Sequence, residues 1–108
     1  MQALRRAGVA LGLTEAQLAR AVGLSTPDWE GLAAGQRLNP ASQAGKRATQ
    51  LIRCYLALGS LVGGSREAVR QWLGTRNRHL GGVPADVLME PDGLDRMADY
   101  LDGLRLHG

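Results

Sequence analysis

The chain contains no phenylalanine, and Trp29, Trp72, Tyr55 and Tyr100 are its only aromatic residues. A core without more rings must rest on Leu, Val, Ala and Met, with those four as its few large members. Cys54 is the single cysteine, so an intrachain disulfide is excluded, and a reducing, cytoplasmic setting is expected. His79 and His107 are the only histidines. With Cys54 they make three soft ligand candidates without zinc-type spacing, so no metal and no cofactor is expected. The most apolar run, Cys54 to Gly64, is too short to cross a bilayer. Near the start, two arginines precede a short apolar stretch that breaks at Thr14 and Glu15, which does not suit a signal peptide. Strand signals are nearly absent, because no stretch alternates apolar and polar residues with β-branched enrichment. At 108 residues the chain suits one domain, or two very small helical units sharing a core.

What is present is helical. Leu18 and Val22 lie four apart, and Leu51, Tyr55, Leu58 and Val62 form a stripe with Ile52 and Leu56 beside it. Val69, Trp72 and Leu73 follow, and Leu94, Met97, Ala98, Leu101 and Leu104 make a last stripe. Thr14 with Gln17 reads as a capping box. Ser25 or Thr26 is expected to cap a helix with Pro27 at its first position, and Pro84 and Pro91 to sit at similar starts. The long helix is expected to begin between Ser42 and Lys46. Its residues 49–62 are apolar on more than one side, which suits either a central core helix or a helix that partly faces a second copy. The pattern predicts an all-α chain of six or seven short helices.

Charge is unevenly spread. Residues 1–64 hold seven Arg and Lys against three acids, whereas residues 65–108 hold six Arg against seven acids. The break falls at Gly63-Gly64-Ser65, residues suited to a helix end and a new N-cap. We therefore expect two units, 1–62 and 63–108, of which only the first has an electrostatic reason to approach a polyanion.

Residues 13–35 carry the spacing of a helix-turn-helix. Ala19 is small where two helices would cross, and Gly23 can take the positive φ of the turn. Leu18, Val22, Leu24, Trp29 and Leu32 are placed as anchors. The segment resembles the helix-turn-helix of Xre/Cro-type repressors. The outward face of its second helix offers Ser25, Thr26, Asp28, Glu30, Gly31 and Ala34, with no Arg for guanine and no Asn or Gln for adenine. DNA contact is therefore expected from Arg20, Ser25, Thr26, Arg37, Lys46 and Arg47, chiefly to the backbone. Arg5 and Arg6 lie upstream as further basic residues.

In the second half, Trp72, Leu73, Asn77, Leu80, Gly81, Gly82, Pro84, Leu88 and Gly93 form an ordered series. Asn77 can bond its own backbone to hold a turn, the glycines permit angles that side chains forbid, and Pro84 starts the next turn. The series resembles the C-terminal toxin-binding domain of the Xre/MbcA/ParS antitoxins, a family that also carries an Xre-like unit. The resemblance implies an antitoxin of a type II toxin-antitoxin system. Its partner would be a RES-type, NAD-consuming toxin whose active site it covers, and the complex would repress its own operon by binding operator DNA. The antitoxin would act as a homodimer within a hetero-oligomeric complex. Candidate toxin-binding residues are Trp72, Arg76, Asn77, Arg78, His79, Arg105, Leu106 and His107. Many relatives continue past the position of Gly108 with a small apolar tail, so either blocking relies on Arg105 to His107 alone or the toxin is held mainly by the domain face.

No catalytic constellation appears, and an enzyme is not expected. Asp95, Asp99 and Asp102 fall on one polar helical face, Asp92 suits a helix start, and no phosphate-binding loop occurs. Cys54 reads as a small buried apolar residue. Two other readings compete with the antitoxin: a stand-alone transcriptional regulator, and a protein-interaction module with a vestigial helix-turn-helix.

Overall fold

The computed structural model describes the backbone of residues 2–107 and the side chains of residues 2–104. Among these residues there are seven helices: α1 (Gln2–Leu11), α2 (Glu15–Val22), α3 (Thr26–Ala33), α4 (Gln43–Leu61), α5 (Arg66–Gly74), α6 (Pro84–Val87) and α7 (Gly93–His107). The fold is all-α, as the periodicity predicts. The one extended pairing among the described residues is an isolated bridge between Asn77 and Gly82.

Local chemistry sets the helix ends. The Gln17 amide donates to Thr14 Oγ1 at 3.1 Å, and the Thr14 amide donates to Gln17 Oε1 at 2.8 Å, so the capping box starts α2. Gly23 stops α2 at φ 77°, a conformation that favours glycine, and the chain then turns into α3. Ser25 caps α3, its hydroxyl accepting from the Asp28 amide at 3.3 Å. Thr26 is thus the first helical residue and Pro27 the second, one place later than the sequence suggests. Ser42 caps α4 within the expected window, and Ser65 caps α5 after Gly63 and Gly64. Pro91 differs from expectation: it lies in the turn two residues before α7, and the Asp92 carbonyl accepts the first bond of that helix, from the Arg96 amide.

The long helix α4 organises the rest. It packs against α1, α2, α5 and α7, while α1 also packs on α5. Leu4, Leu18, Val22, Leu51, Leu58, Leu73, Leu88, Met97 and Leu101 are all buried in one continuous core. Each such side chain contributes on the order of 1.5–3 kcal/mol relative to exposure. That core draws on both sequence halves. Two arginines also tie the halves together: the Arg70 guanidinium donates to the Val9 carbonyl at 2.8 Å, and Arg20 Nε donates to the Met89 carbonyl at 3.1 Å.

The double-sided apolarity of α4 now has a spatial meaning. Ala48, Leu51, Cys54 and Leu58 face the core and Ile52 and Tyr55 are half-buried, but Leu56 and Leu61 are 63% and 50% exposed. One side of α4 holds the two halves together, and the other is open.

Candidate functional site

The hairpin between α5 and α6 is closed by its own polar groups. The Asn77 amide donates to the Gly82 carbonyl at 2.8 Å, and the Gly81 and Gly82 amides donate back to the Asn77 carbonyl at 3.0 and 3.2 Å. Asn77 Oδ1 accepts from the His79 and Leu80 amides at 2.9 and 3.2 Å. Asn77 therefore holds the loop, the role its residue type suggests. Leu80 plugs the loop into the core, and Gly81 turns the chain at φ 79°.

Arg96 on α7 braces this loop from below. Its guanidinium donates to the Leu80 carbonyl and to the Glu90 carboxylate, and lies 3.6 Å from the Asp92 carboxylate. Charge-assisted bonds of this kind are stronger than neutral ones. A side chain at Gly93 is excluded by space, because its Cβ would sit 1.6 Å from the Val87 carbonyl oxygen. The turn from α6 to α7 is thus a backbone-to-backbone contact.

Beside the braced loop, three rings from α5, the loop and α7 stand in a row. Trp72 stacks on Tyr100 with centroids 6.3 Å apart, and His79 stacks on the same Tyr100 at 5.7 Å. Trp72 and Tyr100 are half-buried, while Arg76, Arg78 and His79 are exposed. The structure therefore gathers Trp72, Arg76, Asn77, Arg78 and His79 at the end of α5 and its following loop. Arg105, Leu106 and His107 have side chains that lie outside the described residues. Sequence reasoning missed Tyr100 and Arg96. Tyr100 is a large ring off the apolar stripe of its helix, and Arg96 is the one cation among the acids from Asp86 to Asp102. Both signals were available.

The expected DNA contacts are more dispersed. Arg20 is exposed but engaged with the Met89 carbonyl, and the Ser25 hydroxyl accepts the capping bond of α3. Thr26, Arg37 and Lys46 are exposed. Arg47 is half-buried against the helix-turn-helix, where a Cβ on Gly23 would lie 3.5 Å from its guanidinium nitrogen. Lys46 and Arg47 share a polar groove with Gln43, Gln50, Arg53 and Asp95. The exposed Asp28 and Glu30 keep α3 acidic.

Cys54 is buried, and burial, with the Asp102 charge adding to it, pushes its thiol up to about 11. Among the described residues there is no cluster of three His, Cys, Asp or Glu side chains able to hold a metal ion, and no helix is long and apolar enough to cross a membrane.

A family model described as the antitoxin Xre/MbcA/ParS C-terminal toxin-binding domain matches residues 57–105. Residues 57–105 form a domain of this family. The match begins inside α4, spans α5 and α6, and ends within α7. The braced loop, the ring stack and the whole series from Trp72 to Gly93 fall inside it. A toxin-binding domain gives the chain an antitoxin role, with a toxin as its partner. No curated protein matched the chain. The helix-turn-helix of α2 and α3 lies outside the matched residues.

Proposed function

We propose that this antitoxin neutralises a RES-type, NAD-consuming toxin in the cytoplasm by covering its active site, with no bond-making step of its own. The division of labour is residues 1–62 for DNA and residues 63–108 for the toxin. The observation that carries the proposal is the toxin-binding domain match over residues 57–105. The braced loop supports it, because it presents Arg76, Arg78 and His79 on a stiff mount. A surface held rigid before binding loses less conformational entropy on docking. Two exposed guanidinium groups suit an acidic or phosphate-binding rim on the partner. The end of α7 would reach the NAD pocket, with Arg105, Leu106 and His107 as the blocking residues.

Repression of the operon is the second role. Arg37, Lys46 and Arg47 would hold phosphates, with Thr26 as the one outward hydroxyl of α3 free of a capping role. Such binding is dominated by charge and falls steeply with salt.

Co-expression with the protein encoded beside this chain tests the first role. Growth arrest caused by that toxin should be relieved by the full chain and relieved less by a chain truncated after Asp102. Full rescue by the truncated chain refutes blocking by the terminal segment. Absence of any neighbouring toxin that the chain relieves refutes the antitoxin mechanism as a whole. Fluorescence titration with the promoter region at low and moderate salt tests the second role, and no binding at either salt removes it.

A further inference from the structure

The polar groove beside the first half of α4 encloses about 490 Å³. Gln43, Lys46, Gln50 and Arg53 line it at intervals of three and four residues, so they share one face of that helix. Arg47 stands beside Lys46, and Asp95 lines the groove from α7. Three cations thus meet one acid. Among the described residues, none of Lys46, Arg47 and Arg53 is in an ion pair within the chain. We propose that this groove binds a small polyphosphate, a compound with two or three linked phosphate groups such as a nucleoside triphosphate.

Three features select that ligand. First, the donors are of the right kind. Guanidinium forks match phosphate oxygens in geometry, an ammonium adds a point charge, and the amides of Gln43 and Gln50 supply neutral donors between the charged ends. Second, the cations are spread along the groove. Arg53 follows Lys46 by two helical turns, a rise of about 10 Å. A lone phosphate is too short to engage both ends, whereas a linked row of phosphates spans them. Third, the groove is a recess of small-molecule size, within the range of about 300–1,000 Å³ that such sites occupy. A duplex laid along α4 would meet the Asp95 carboxylate on the α7 side with its own phosphates. Lys46 and Arg47 are also the residues proposed to hold operator phosphates, so a filled groove competes with DNA for them. That consequence rests on the DNA reading of the proposed function, but the site itself does not.

Titration calorimetry of the purified full chain at fixed ionic strength tests the site, with inorganic triphosphate as the probe and orthophosphate beside it. Saturable binding of one triphosphate per chain is expected, tighter than orthophosphate by about tenfold or more. Lys46→Gln and Arg53→Gln should each weaken it by about fivefold or more, through loss of a charge-assisted bond. Both side chains are exposed, so the far-ultraviolet spectrum should not change. Arg66→Gln removes the same charge at the exposed start of α5, outside the groove, and should leave binding unaltered. Asp95→Asn should tighten binding by about twofold or more, because it removes the one acid facing the ligand. A wild-type chain that binds no triphosphate overturns the proposal. Equal losses in Arg53→Gln and Arg66→Gln overturn it too, since they mark general charge attraction, as does unchanged or weaker binding in Asp95→Asn. A chain that binds duplex DNA through Lys46 and Arg53 but ignores triphosphate assigns the groove to the nucleic-acid backbone, with the same force.

Discussion

A methyl group added at Gly93 and the same group added at Gly59 should have opposite effects, and the difference follows from what each would meet. At Gly93 a Cβ would lie 1.6 Å from the Val87 carbonyl oxygen and 2.6 Å from its carbonyl carbon. Contact at van der Waals distance needs about 3.5 Å. The neighbour is backbone, so no side-chain rotation relieves the clash. The α6–α7 turn would have to open by roughly 2 Å, pulling the buried Val87, Leu88 and Leu94 away from the core. Disruption of that kind is comparable to a large core truncation, about 3–5 kcal/mol. A domain of this size has on the order of 5–15 kcal/mol in total. Gly59 lies inside α4 with no heavy atom within 4 Å of its would-be Cβ. Alanine there restricts the unfolded chain and should add about 0.5–1 kcal/mol. Urea denaturation followed by circular dichroism reads both changes. A loss below about 1 kcal/mol for Gly93→Ala, or the same sign for both substitutions, refutes the packing argument.

Two further perturbations probe the site and the core. Arg96→Ala removes the brace on the Leu80 carbonyl and should cost about 1–3 kcal/mol by thermal melting, whereas Arg96→Lys keeps the charge without the planar fork and should recover less than half. An unchanged melting temperature for Arg96→Ala contradicts that bracing. The Cys54 thiol is raised from its ordinary 9.0 to about 11 by burial and then by the Asp102 charge. The folded state therefore favours the neutral thiol, and its contribution is present below about pH 9 and lost as pH rises through about 11. Iodoacetamide labelling at pH 8 should run about a hundredfold slower than for a free thiol, and the alkaline fall in stability should be shallower in Cys54→Ala. Labelling at the free-thiol rate contradicts the burial.

The legible parts of this fold are the local ones. The capping box of Thr14 and Gln17, the stop at Gly23 and the Asn77 turn each involve groups within a few residues of one another, so spacing alone exposes them. Pro27 and Pro91 were misplaced by one or two positions because proline is tolerated at several places near a helix start. Long-range partners were not legible. Arg20 meets the Met89 carbonyl 69 residues away, and Arg96 meets the Leu80 carbonyl 16 residues away. Periodicity says which face of a helix is apolar, but not what a cation on the other face will touch. The same limit applies to Tyr100, whose place between Trp72 and His79 depends on how α5 and α7 cross. For α4, the sequence allowed both a core helix and a helix facing a second copy. The structure puts Leu51 and Leu58 inside and leaves Leu56 and Leu61 outside.

The proposed mechanism is occupation of a toxin's surface by the face built around the braced loop. Titration calorimetry of the purified chain against the toxin encoded beside it tests this most directly. Tight binding is predicted, weakened about thirtyfold or more when Arg76 and Arg78 are both changed to Glu, with the melting temperature unaltered. No binding by the wild-type chain, or equal binding by the doubly changed one, contradicts it.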